Sequence, residues 1–225
     1  MKKGFFVVLI AGLVLGMVGL AQAWDLGGLK SKASPPASPA PAQDPIMAQD
    51  ALVISYVDSA QQISQAQIRF AGALGLKDEA AALKAETKAL GSGSVSASSI
   101  KKQQARSKAL DEKIAEKIAT GSKLTVEGRK IFASGLLPYS VGLAEGAGMS
   151  VAAKNFVESV ESYVKDSSPM EKMRVMKKVK PGLYVASSMP DYLQKLGSTS
   201  KAILAFAKAN EIKIPKEASD ALGEL

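Results

Sequence analysis

From Pro45 to the C-terminus, apolar residues recur at steps of three and four and almost nowhere at steps of two. Val53, Val57, Ala60, Ser64, Ile68, Ala71 and Leu74 trace one such stripe, with Gln61, Gln62, Gln65 and Gln67 around it. That spacing returns to one side of a helix at each turn, whereas a strand changes sides at every residue. Leu183-Tyr184-Val185 and Ile212-Lys213-Ile214 are the only strand-like pieces, each too short for a sheet. Alanine, leucine, lysine and glutamate outweigh valine, threonine and aromatics. The chain is therefore expected to be all-α, an irregular bundle of about six to eight helices.

Start and stop signals divide the pattern. Asp44-Pro45 reads as an N-cap followed by proline at the first helical position. Residues 78–90 are almost wholly strong helix formers and end at Gly91. Ser99 can cap a helix with Ile100, Ser107, Leu110, Ile114 and Ile118 on one seam, ended by Gly121. Thr125 opens another, through Ile131, Phe132, Leu136 and Leu137, to Pro138. Proline lacks an amide donor and clashes with the preceding turn, so a kink or stop is predicted there. Residues 150–166 resume a helix, with Ala153, Phe156, Val157, Val160 and Val164 inward. Ser168-Pro169-Met170-Glu171 is a capping box with proline at N1, and Ser188-Met189-Pro190-Asp191 resembles a second helix start. Ser198 or Thr199 opens a last helix through Ile203, Leu204 and Phe206, with Asn210 as its left-handed cap.

The N-terminus follows a different logic. Lys2 and Lys3 precede an apolar run over residues 5–20, and Ala21-Gln22-Ala23 supplies the small-x-small pattern of a signal-peptidase site. Residues 1–23 are read as a cleaved signal peptide of bacterial type, which directs the chain to the periplasm or, second, to the medium. Residues 24–44 form a Pro/Ala/Ser-rich linker, with five of the ten prolines between Pro35 and Pro45, expected to be extended and disordered. Residues 45–225 are then a single helical domain.

Composition narrows the chemistry. Neither histidine nor cysteine occurs among the 225 residues. Ser-His-Asp and Cys-His catalysis, thiolate or imidazole metal sites and disulfides are thereby excluded. Ser198 and Lys201 have the spacing of a Ser-Lys pair, and Glu158 and Glu161 lie one helical turn apart. A helix cap with a solvated lysine, and charges on an amphipathic face, explain both at least as well. No catalytic, metal or cofactor site is expected, and the chain is read as a non-enzymatic binding protein.

Two stretches stand out. Residues 131–153 carry a single charge, Glu145, and include Gly135, Pro138, Gly142, Gly146 and Gly148. Gly142 and Gly146 have the Gly-x-x-x-Gly spacing that lets helix backbones approach. The expectation is a packed central helical hairpin; the alternative is a membrane-inserting, lipid-perturbing element. The second feature is charge. Residues 101–130 hold nine basic and four acidic groups, and 167–182 hold five against one. In the second block Met170, Met173 and Met176 lie at helical spacing among Lys172, Arg174, Lys177, Lys178 and Lys180. A basic helix with a pliable methionine face suits an anionic lipid surface or an acidic envelope protein. Nucleic acid is not an expected partner, because no aromatics interleave with the basic runs. No stable transmembrane helix is expected in the mature chain.

Cleavage removes Lys2 and Lys3, so the net charge of +8 falls to +6. Mass spectrometry of the exported protein is expected to place its first residue at Trp24, and Ala23→Lys to leave the precursor uncut; an unprocessed wild-type chain contradicts this reading.

Overall fold

The computed structural model describes residues 44–92 and 95–223; the signal segment 1–23 and the linker up to residue 43 lie outside them. Among the described residues there are seven helices and no strand. They are α1 (Pro45–Ala73), α2 (Lys77–Gly91), α3 (Ala97–Ala119), α4 (Val126–Asp166), α5 (Pro169–Lys178), α6 (Lys180–Ala209) and α7 (Lys216–Gly223). The all-helical expectation holds. Both strand-like pieces are otherwise engaged: Leu183-Tyr184-Val185 is helical in α6, and Ile212-Lys213-Ile214 is a link after it.

Several ends obey the local chemistry. Asp44 accepts from the amide of Ile46 at 2.9 Å with Pro45 in the first turn, and Ser168 and Glu171 close the expected capping box on α5. Gly121 stops α3 at φ 68°, where a side chain would strain the backbone. Other ends differ. The cap of α3 is Ser96, whose partner in a capping box is Ser99, so the helix begins earlier. At the end of α6 the left-handed residue is Glu211 (φ 57°) and not Asn210. Asn210 works with its side chain, accepting from the amide of Leu124 and donating to the carbonyl of Phe206.

The largest correction concerns the prolines. Residues 131–153 are not a hairpin but part of the unbroken 41-residue α4. Pro138 leaves the carbonyl of Ser134 without its helical donor, and the Arg69 guanidinium donates to that carbonyl at 2.5 Å. Pro190 likewise lies inside α6 and starts nothing.

α1 and α4 run antiparallel, because Gly128, Gly135, Gly142 and Gly146 meet Ala73, Phe70, Ile63 and Ser59 in turn. A methyl group added at Gly142 would stand 2.7 Å from Ile63 Cγ1 and 2.9 Å from its backbone nitrogen. At Gly135 it would meet the Phe70 ring, and at Gly146 the end of Leu193. Phe70, Phe132, Tyr139 and Phe206 pack together in tilted and edge-on contacts, with successive ring centres 4.5–5.6 Å apart. The buried face of α1 is centred on Leu52, Tyr56, Ile63, Gln67 and Phe70; Val53, Val57 and Ile68 sit at its half-buried margin.

Gly142→Ala is expected to destabilise by about 1–3 kcal/mol, since the obstruction is backbone and cannot swing aside. Gly148→Ala, with nothing within 4 Å, is expected to stabilise by up to about 1 kcal/mol through helix propensity. Urea unfolding of the two variants checks the pair; equal effects would refute the packing described.

Candidate binding surface

The structure offers chemistry in two places, one inside and one outside. Inside, α1, α3, α4 and α6 contribute polar side chains to the core. Tyr56 donates to Gln103 at 2.7 Å, and Gln103 donates to Ser64 at 3.1 Å. Ser107 donates to Gln67 at 2.7 Å and shares a 2.8 Å bond with Tyr192. Asp111 collects the rest: Gln67 at 3.2 Å and Tyr139 at 3.4 Å on Oδ1, and Thr199 at 2.6 Å on Oδ2. Among the described residues no buried side-chain polar atom lacks a partner.

Burial pushes the Asp111 carboxyl up to about 6, against the opposing pull of its three donors and of the Lys195 charge. Burial likewise drives Tyr56 and Tyr139 well above the ordinary phenol range, and Tyr192 to about 12. These hydroxyls stay protonated and act as donors and spacers. Neither of two surface grooves, of about 580 and 360 Å³, is lined by any member of this network. No group of His, Cys, Asp or Glu able to hold a metal ion occurs among the described residues. The network therefore positions helices. Sequence reasoning passed over it, although Asp111 shares the Ser107, Leu110 and Ile114 face of α3 that burial selects.

Outside, three of the nine basic groups of the first block, Lys108, Lys113 and Arg129, enter ion pairs, and the second block enters none among the described residues. Lys108 pairs with Asp191 at 2.7 Å, Lys195 with Glu112 at 2.6 Å, Arg129 with Glu211 at 3.3 Å, and Lys113 with Glu79. These ties join α3 to α2 and α6, and the start of α4 to the turn after α6; Glu79, Glu112 and Asp191 are held below the usual carboxylate range by their lysines. Lys172, Arg174, Lys177, Lys178 and Lys180 enter no ion pair among the described residues. Glu171, the acid nearest them, is turned back onto Ser168 to cap α5.

The methionines of α5 face water. Met170 is 72% exposed and Met173 62%, while Met176 is half-buried; Val175 alone is fully buried and anchors the helix. Met170, Met173, Arg174, Lys177 and Lys178 line the shallow groove of about 360 Å³. Lys172 is half-buried and Lys180 opens α6, so the eight residues named from the sequence occupy one short helix and its exit.

The other named residues are brought to no site. Gly135, Gly142 and Gly146 are buried against α1 and α6, Pro138 is half-buried within α4, and Gly148 faces open space. No described helix is long and apolar enough to cross a membrane. Ser198 is exposed within α6 and donates to the Lys195 carbonyl at 2.6 Å. Glu158 lies 3.9 Å from Lys154, one turn before it on α4.

Asp111 gives a sign-specific test. Its native carboxyl holds the proton more tightly than the unfolded chain, so its contribution to stability is greatest at acid pH. It is lost as pH rises through about 6. Between pH 4.5 and 7.5 the stability of wild type relative to Asp111→Asn is expected to fall by about 2 kcal/mol. Denaturant titration at both pH values decides it, and a pH-independent difference would mean an unshifted carboxyl.

Comparison with protein-family models, with curated proteins and with solved structures finds no match to this chain.

Proposed function

We propose that this chain is an exported, non-enzymatic binding protein of the bacterial envelope, resident in the periplasm, that docks on anionic lipid surfaces through α5. The observation that carries the reading is the co-location of exposed Met170 and Met173 with Arg174, Lys177 and Lys178, all unpaired among the described residues. A soluble helix that needs only a core anchor has Val175 for that purpose and gains nothing by exposing two thioethers. At a bilayer the same arrangement is consistent. Methionine side chains enter the acyl boundary while the cations stay at headgroup phosphates, each worth about 1 kcal/mol at an anionic surface. The signal-peptide pattern supplies the route.

An acidic envelope protein presents similar charge but gives the methionines less to do, so the lipid surface is the better fit. The test is co-sedimentation of purified protein with vesicles of anionic or purely zwitterionic lipid. Binding is expected only to the anionic set, with loss at about 0.5 M salt. Lys177→Glu/Lys178→Glu is expected to weaken it more than tenfold, roughly the contribution of two cations. Met170→Ser/Met173→Ser is expected to weaken binding while leaving its salt dependence intact. Binding indifferent to charge reversal and to salt would sink the proposal; binding to an acidic protein but not to vesicles would move the surface to that partner.

A further inference from the structure

The outward face of α4 carries a feature that vesicle binding by α5 leaves unused. Leu137, Val141, Ala144, Gly148 and Val151 follow one another at steps of four, three, four and three, the seam spacing of a helix that packs along another helix. They lie opposite the glycine face that α1 covers. Leu137 is 43% exposed and Val151 65%, and a side chain at Gly148 would meet nothing within 4 Å. Extended in both directions, the seam stays uncharged through Ser134 and Asn155 and then reaches Lys130 on one side and Glu158 on the other. Both are exposed.

We infer that this face of α4 is the contact between two copies of the chain, paired antiparallel about a two-fold axis at Ala144. A two-fold axis sets residues equidistant from its centre against each other. Leu137 and Val151 stand seven residues from Ala144 on either side, so each meets the other across the axis. Val141, three residues from the axis, meets Ala147 and lies beside the bare backbone of Gly148, so a large side chain faces small ones. Lys130 and Glu158 stand fourteen residues out on either side, so each pairs with the opposite charge of the second copy. Glu158 has only a 3.9 Å contact with Lys154 to give up. A parallel pairing would instead set Lys130 on Lys130 and Glu158 on Glu158. The centre is made of small residues, which lets the two helices come close without displacing anything behind them.

The absence of native cysteine gives a clean probe. Ala144→Cys carries a single thiol at the axis, where it faces its own copy. On oxidation it is expected to form covalent dimer about tenfold faster, or more, than Ala105→Cys, an exposed position on α3, because pairing raises the local thiol concentration. Sedimentation of the purified wild-type protein is expected to show a dimer. Lys130→Glu should weaken it about tenfold, and Lys130→Glu/Glu158→Lys should restore it, since the swapped charges meet again. Wild type monomeric at about 100 µM, a range covering affinities useful to such a pair, would overturn the inference. So would cross-linking no faster at 144 than at 105, or a double variant as weak as the single. If Ala144→Glu lowered vesicle binding in a chain that is monomeric throughout, the face would belong to lipid and not to a second copy.

Discussion

How near α1 comes to α4 decides where every other helix can lie. At Gly142 the two backbones are so close that a single carbon would strike the Ile63 nitrogen, and Ser59 reaches across to donate to the Gly142 carbonyl at 2.8 Å. Each interior glycine costs roughly 0.5–1 kcal/mol of helix propensity relative to alanine. Burying one Phe or Leu side chain returns about 1.5–3 kcal/mol, and the approach brings Phe70, Phe132, Leu136 and Leu143 into the core together. The balance favours the glycines. α6 then closes the far side, with Leu193 and Met189 over Gly146, and α3 follows through its ties to α6.

The helical class and the capped ends were legible in the sequence because they depend on neighbours a few residues apart. Asp44-Pro45 and Ser168-Pro169 act through their own side chains, and nothing distant alters them. The face of α1 was only partly legible: Ala60, Ser64, Ala71 and Leu74 of the expected stripe are buried, while Val53, Val57 and Ile68 sit at its margin. Valine at 53 and 57 looked like core beside the glutamines, yet Gln67 is fully buried because Ser107 and Asp111 take up its amide. Polarity on one helix was answered by polarity on another, and a one-dimensional pattern does not carry that pairing. Pro138 failed as a stop signal on the same ground. Its missing bond is replaced by Arg69, 65 residues before the Ser134 carbonyl in the chain but on the neighbouring helix in space. For the surface, the residues named together in the sequence fall on one short helix and its exit; that Met170 and Met173 face outward depended on Val175 being the residue buried inside.

The basic surplus is only partly paired. On α3 and at the start of α4, Lys108, Lys113 and Arg129 meet carboxylates of α6, α2 and the turn after α6, which align helices even though such exposed pairs are individually worth less than about 1 kcal/mol. On α5 the cations meet none among the described residues, and the one nearby acid is committed to the cap.

The polar core has a consequence for how the chain chooses among its own possible packings. Alanine-rich helices offer similar surfaces at successive turns, so sliding one past another by a turn of about 5.4 Å would cost little apolar contact. Such a slide would separate Asp111 from Thr199, Gln67 from Ser107 and Tyr56 from Gln103 at once, stranding each in the interior at roughly 1–3 kcal/mol apiece. The penalties add across α1, α3 and α6. What looks like an expensive way to fill a core is a vernier: only one alignment of the helices brings all the marks into coincidence.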